Sequence, residues 1–127
     1  MNELTISKPS TGYVDLLKSK FYSFAFPVSD VEEFKTKLEE LRKAHPKAKH
    51  VVYAYRIGMA SKSNDDKEPK GTAGRPLLEL LMKKNLNYVA IIVVRYFGGT
   101  ELGASRLLRT YVASGVSAIN NAEIIER

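Results

Sequence analysis

Three clusters in this sequence hold side chains able to do chemistry. Asp65, Asp66 and Glu68 stand within four residues, a spacing that lets carboxylates share a divalent cation or form an acid/base pair if the chain folds back on itself. The cluster lacks the alternating Asp/Asn, central Gly and distant Glu of an EF-hand, and such a run is also what a solvated loop carries. Next, Gly71, Thr72 and Gly74 precede Arg75 and Pro76, where a helix begins, so backbone amides near a helix N-terminus can face an anion. The Lys and hydroxyl of a Walker A loop are missing, and the glycines also suit a sharp reversal. The third cluster is Arg95, Tyr96, Phe97, Gly98 and Gly99, with Arg106 and Arg109 following in a helix. Guanidinium groups beside aromatic rings suit phosphate contact with base stacking, and the competing reading is a solvated arginine face with the rings in the core. Arg106 and Arg109 fall about 60° apart on a helix and are therefore neighbours.

The other reactive residue types offer less. His45 and His50 occupy a helix end and a strand start, and two histidines without cysteine make a poor metal set. The absence of cysteine removes disulfides, thiolate zinc sites and thiol nucleophiles. No serine sits in a G-x-S-x-G elbow. We therefore expect no catalytic residue, no metal and no cofactor. Twenty Lys and Arg against 14 Asp and Glu give a net charge of +6, which favours anionic partners such as nucleic acid. The N-terminus lacks the apolar core of a signal peptide, and the longest strongly apolar run, Val89 to Val94, is far short of a membrane span. A soluble, cytoplasmic protein without a membrane partner is the expectation.

The elements that must position these clusters are written in the periodicity. In 127 residues with 44% hydrophobic content we expect one core. Tyr22, Phe24 and Phe26 alternate with Ser23 and Ala25 in a strand ending at Pro27, with the aromatic face toward the core. Ser29 and Glu32 form a capping-box pattern ahead of Val31, Phe34, Leu38 and Leu41, an amphipathic helix stopping near His45-Pro46. His50 to Gly58 reads as a strand with Val51, Tyr53, Tyr55 and Ile57 on one face. From Gly58 to Gly74 Met59 is the only large apolar side chain, so an exposed loop is expected. A leucine-rich helix then opens at Pro76, and the strand around Val89 to Val94 is apolar on both faces, so it should be central and covered on each side. The last helix carries an expected stripe of Ala104, Leu107, Leu108, Tyr111, Val112, Gly115 and Ile119, with Thr110 opposite and Gly115 allowing close approach to a neighbour. "AEIIER" reads as a further short strand. Strands and helices interleave as a two-layer α+β unit.

Taken together, "HVVYAYRIG", "NDDKEPKGTAGRP" and "VVRYFGGTELGASRLLRTY" resemble the IMPACT family. Its acidic motif, D-D-G-E-P-x-G-T-A-G-x-P, is matched at Asp65, Asp66, Glu68, Pro69, Gly71, Thr72, Ala73, Gly74 and Pro76. Its second motif, R-[FYW]-F-G-G-x-x-L-G, is matched at Arg95, Tyr96, Phe97, Gly98, Gly99, Leu102 and Gly103, while Ser19 to Phe21 and His50 also fit. The resemblance covers about residues 18 to 119 and implies a two-layer α/β sandwich like domain two of ribosomal protein S5, with a mainly antiparallel four-stranded sheet and two main helices. It implies residues 1–127 as a single IMPACT-type domain, without the RWD domain or the ferredoxin-like C-terminal domain of other members.

The resemblance also implies a link to translation: a non-enzymatic protein that regulates it by binding RNA, ribosomal components or a protein partner. The alternative is a metal-dependent enzyme acting on a nucleotide or phosphate ester through Asp65, Asp66 and Glu68. Lys67 departs from the family pattern, standing where glycine is usual. Because the motifs recur as a set, we expect the acidic loop, the 71–74 turn and the 95–99 junction to meet in space. Arg95 and the helix N-terminus after the junction would then form a positively rimmed cleft.

Overall fold

The computed structural model describes residues 3–127. Its elements run β1 (Leu4–Ile6), β2 (Ser10–Leu16), β3 (Ser19–Pro27), α1 (Val31–Ala44), β4 (His50–Ile57), β5 (Ala60–Asn64), α2 (Gly74–Lys83), β6 (Val89–Tyr96), α3 (Ala104–Asn120) and β7 (Ile124–Glu126). The main sheet has the order β2-β3-β6-β4-β5, every neighbouring pair antiparallel, and β1 pairs with β7 in a two-stranded ribbon. Because β3 and β4 both run antiparallel to β6 between them, α1 connects two mutually parallel strands as a split crossover.

The α+β class stands, with five strands in the sheet rather than four and three helices rather than two. β2 is one of two strands of this sheet that the sequence pattern did not mark, the other being β5. β2 reaches β3 through a two-residue turn in which Leu17 and Lys18 have φ of 48° and 68°, the left-handed pair a tight hairpin needs. The usual Asn-Gly signal is absent there, so composition did not mark the turn. Helices stand on both faces. Phe34 and Leu38 of α1 pack on Tyr53, Tyr55, Ile92 and Val94, while Leu77 and Leu81 of α2 and Tyr111 and Ile119 of α3 pack on Phe21, Val52, Ile91 and Val93. This second layer explains why β6, the central strand, is apolar throughout. It also explains why β3 buries Phe21, Ser23 and Ala25 on one face, while on the expected core face Phe26 is buried and Tyr22 and Phe24 are partly buried against the α1-side cluster.

Local corrections have simple causes. Asp30, not Ser29, caps α1, accepting from Glu33 N at 2.8 Å. Residues 60–64 of the expected loop form β5, since an edge strand is held by its backbone pairing with β4 and requires no apolar side chains. The buried stripe of α3 is rotated to include Thr110, Ser114 and Ala118, while Leu108 is exposed. Thr110 and Ser114 enter the interior because their hydroxyls donate to Arg106 O and Tyr111 O. This side of α3 lies along β2: Ser10 Oγ donates to Ala118 O at 2.8 Å, Tyr13 N donates to Ser117 Oγ, and Asn121 Nδ2 donates to Thr11 O. The free edge of β2 is thereby covered. Gly115 does permit close approach, since a Cβ there would lie 2.8 Å from Leu77 Cδ2 of α2.

Candidate functional site

The acidic loop and the 95–99 junction do meet, through a buried clamp rather than an open basic cleft. Arg95 ends the apolar run of β6 with its side chain about 5% exposed. Its Nη1 donates to Glu68 Oε2 at 2.6 Å, and its Nη2 to Ser19 Oγ at 3.3 Å. Glu68 also accepts from the Tyr111 hydroxyl at 2.5 Å and lies 3.2 Å from His50 Nε2. Arg95 Nε has no hydrogen-bond partner among the described residues. The guanidinium instead packs against two rings, 5.3 Å from the centre of Phe21 and 5.7 Å from Phe97. Burial, followed by the nearby Glu68 charge and its hydrogen bond, raises the Tyr111 pKa far above that of free tyrosine.

The three carboxylates of the loop diverge instead of sharing a cation. Asp65 turns inward to the 71–74 turn, where Gly71 N, Ala73 N and Gly74 N donate to it at 2.9, 3.2 and 2.8 Å. The anion expected at this helix N-terminus is therefore the chain's own carboxylate. Asp66 Oδ2 accepts from Val51 N at 2.6 Å, and Asp66 O meets His50 Nδ1 at 2.5 Å. Glu68 belongs to the clamp. Thr72 is buried, its hydroxyl donating to Pro69 O. Asp66 and Lys67 have φ of 44° and 69°, so the family's glycine in place of Lys67 answers a backbone requirement more directly than a charge requirement. Gly74 and Gly98 are set by proximity: a Cβ at Gly74 would lie 2.6 Å from Asn64 backbone, and one at Gly98 would lie 2.2 Å from Lys18 C.

The remaining predicted residues face solvent on two separate sides. Arg106, Arg109 and Arg75 are exposed on the helices: Arg106 Nε donates to Leu102 O, Arg109 Nη1 to Ser105 Oγ, and Arg75 pairs with Glu79 at 3.3 Å. The expected rim joining Arg95 to Arg106 and Arg109 does not form, because Arg95 points into the interior. Gly99 is exposed with φ of 93°. Tyr96 and Phe97 lie on the α1 side, in an open concavity of about 520 Å³ completed by Lys18, Lys20, Tyr22 and His45. Tyr96 Oη and His45 Nδ1 are 2.5 Å apart, and Lys49 Nζ is 6.0 Å from the centre of the Phe97 ring. Sequence reading singled out neither these lysines nor Tyr22 as a surface, since the concavity is assembled from three separate stretches, 18–22, 45–49 and 96–97. The lysine on the β2–β3 turn was invisible without that hairpin.

This arrangement coincides with a known domain: the model of the Impact N-terminal domain matches residues 17–119. The chain belongs to the IMPACT family. It is 37% identical over 126 residues to the IMPACT family member YvyE of Bacillus subtilis, covering 97% of this chain and 58% of that protein. It is 36% identical to the IMPACT family member YigZ of Escherichia coli, covering 81% of this chain and 53% of that one. The IMPACT chain thus spans somewhat over half the length of these curated relatives. Among solved structures, the crystal structure of a hypothetical protein superposes with a TM-score of 0.94 at 31% identity, over all of this chain and 65% of the other. The two-domain translational regulator Yih1 superposes with a TM-score of 0.51 at 25% identity, over 96% of this chain and 48% of that one. Among the described residues no helix is long and apolar enough to cross a membrane.

Proposed function

We propose that this IMPACT chain is a non-enzymatic binding module acting in the regulation of translation. It would engage RNA, a ribosomal component or a protein partner through its exposed cationic and aromatic side chains. The observation that carries the reading is the internal use of the motif's reactive groups. Asp65 occupies the amides of the 71–74 turn, Asp66 fastens the loop to β4, and Glu68 neutralises Arg95. Groups committed in this way hold a shape. What they leave facing solvent is of the binding kind: Arg75, Arg106 and Arg109 on one side and the Tyr96–Phe97 surface with its lysines on the other. Similarity to the translational regulator Yih1 supports the biological setting.

Affinity capture from lysate, with and without nuclease, tests the proposal. Recovery of ribosomal components or translation factors is the expected result, and sensitivity to nuclease separates RNA-mediated from direct association. Capture of no translation component under either condition would overturn it.

A further inference from the structure

We propose that the concavity between Tyr22, Tyr96 and Phe97 binds single-stranded nucleic acid, with bases stacked on these rings and phosphates held by Lys18, Lys20 and Lys49. The proposal rests on the partner-binding reading above and gives it a ligand and a place. The first support is chemical. The six residues lining the concavity include two lysines, four rings and no carboxylate, and Lys49 adds a third ammonium beside Phe97. Aromatic faces beside mobile cations are what sequence-tolerant binding of unpaired bases requires.

The second support is positional. α1 ends at Ala44, leaving the β2–β3 part of this sheet face uncovered around Tyr22. Lys20 of β3 stands directly opposite Tyr96 of β6, and Tyr13 of β2 opposite Tyr22 of β3. A row of rings results: Tyr13 and Tyr22 are 4.9 Å apart, Tyr22 and Tyr96 5.9 Å, with Tyr13 44% and Phe97 42% exposed. His45 fixes the Tyr96 hydroxyl and stacks near Tyr22 at 6.3 Å, so the platform is ordered before a ligand arrives. Asp15, which accepts from the Tyr13 hydroxyl, gives the surface a polarity. Asp15 stands directly opposite Lys20 in the β2–β3 register, so of the three ammonium groups Lys49, beside Phe97 and two strands further across the sheet, is the one set farthest from that carboxylate. The helix side offers a poorer match: the hollow between α2 and α3 is lined by Leu80, Leu108 and Val112 with Glu79 beside Lys83, and no aromatic ring.

The test is fluorescence anisotropy of a labelled oligouridylate against the full chain at several salt concentrations, with the DNA of the same sequence as the second arm. Expected are a log–log salt slope of about −2 for three phosphate contacts and a loss of about 0.7 in that slope on Lys20→Ala. Tyr96→Leu should weaken binding about ten-fold, and Tyr96→Phe, which keeps the ring but not the hydroxyl held by His45, should recover most of it. The chain has no tryptophan, so quenching of tyrosine emission on binding reports stacking directly. Equal binding of RNA and DNA supports stacking alone, and a preference for RNA adds contact to the ribose hydroxyl. If affinity falls only on Arg106→Ala and Arg109→Ala, the location is wrong while the partner-binding reading survives. If neither oligomer binds but nuclease-treated capture still returns translation factors, nucleic acid is excluded and a protein partner remains.

Discussion

Arg95 Nη1 lies 2.6 Å from Glu68 Oε2, and both side chains are about 5% exposed. This pair joins the end of the central strand to a loop 27 residues earlier in the chain, and Ser19, His50 and Tyr111 complete its surroundings. Removing one partner leaves the other charge buried and unmatched. Glu68→Ala should therefore cost about 3–5 kcal/mol in urea unfolding. The double variant Glu68→Gln with Arg95→Met should cost less than the two single changes summed, a coupling that an isolated surface pair would not show.

Asp65 works at the start of α2. Asp65→Ala leaves three amides without their acceptor and should destabilise by about 1–2 kcal/mol. Asp65→Asn, which retains an acceptor oxygen, should lose less. Amide exchange at Gly71, Ala73 and Gly74 should accelerate in step with the loss. An unchanged unfolding midpoint in Asp65→Ala would show that these hydrogen bonds contribute nothing net.

Lys67 is an exposed residue in left-handed backbone. Lys67→Gly should raise stability by about 0.5–1 kcal/mol, since relief of the left-handed conformation outweighs the added freedom of the unfolded chain. Lys67→Ala should give no such gain. The comparison separates backbone conformation from charge, because both variants remove the ammonium.

Tyr111 makes alkaline stability measurable. Its folded-state pKa is raised above 10.0, the ordinary value for tyrosine, first by burial and then by Glu68. Above about pH 10 the unfolded chain releases this proton while the folded chain retains it, so the unfolded state binds fewer protons and stability falls as pH rises. Urea unfolding should show Tyr111→Phe destabilised at neutral pH by about 1.5–3 kcal/mol for the lost bond to a carboxylate. That gap should narrow above pH 10, by at most about 1.4 kcal/mol per pH unit. A gap constant from pH 8 to pH 11 would rule out the proposed linkage.

Repeating patterns within single segments carried the reading of β4, α1, β6 and the C-terminal ribbon strand, because apolar spacing records which face of an element is covered. The meeting of the acidic loop with the glycine junction was legible too, from motifs occurring as a set. The orientation of Arg95 was not. An arginine after an apolar run looks the same whether it ends in water or on a carboxylate, and its carboxylate comes from a separate segment. The same limit hid β2, whose turn uses Leu17 and Lys18 in place of glycine, and the burial of Thr110 and Ser114, whose hydroxyls are satisfied within their own helix. Sequence by itself determined the three helices, the strands β3, β4 and β6, and which residues can carry charge. Tertiary structure alone decided which charges are neutralised inside and which remain for a partner, because that depends on distances between residues far apart along the chain.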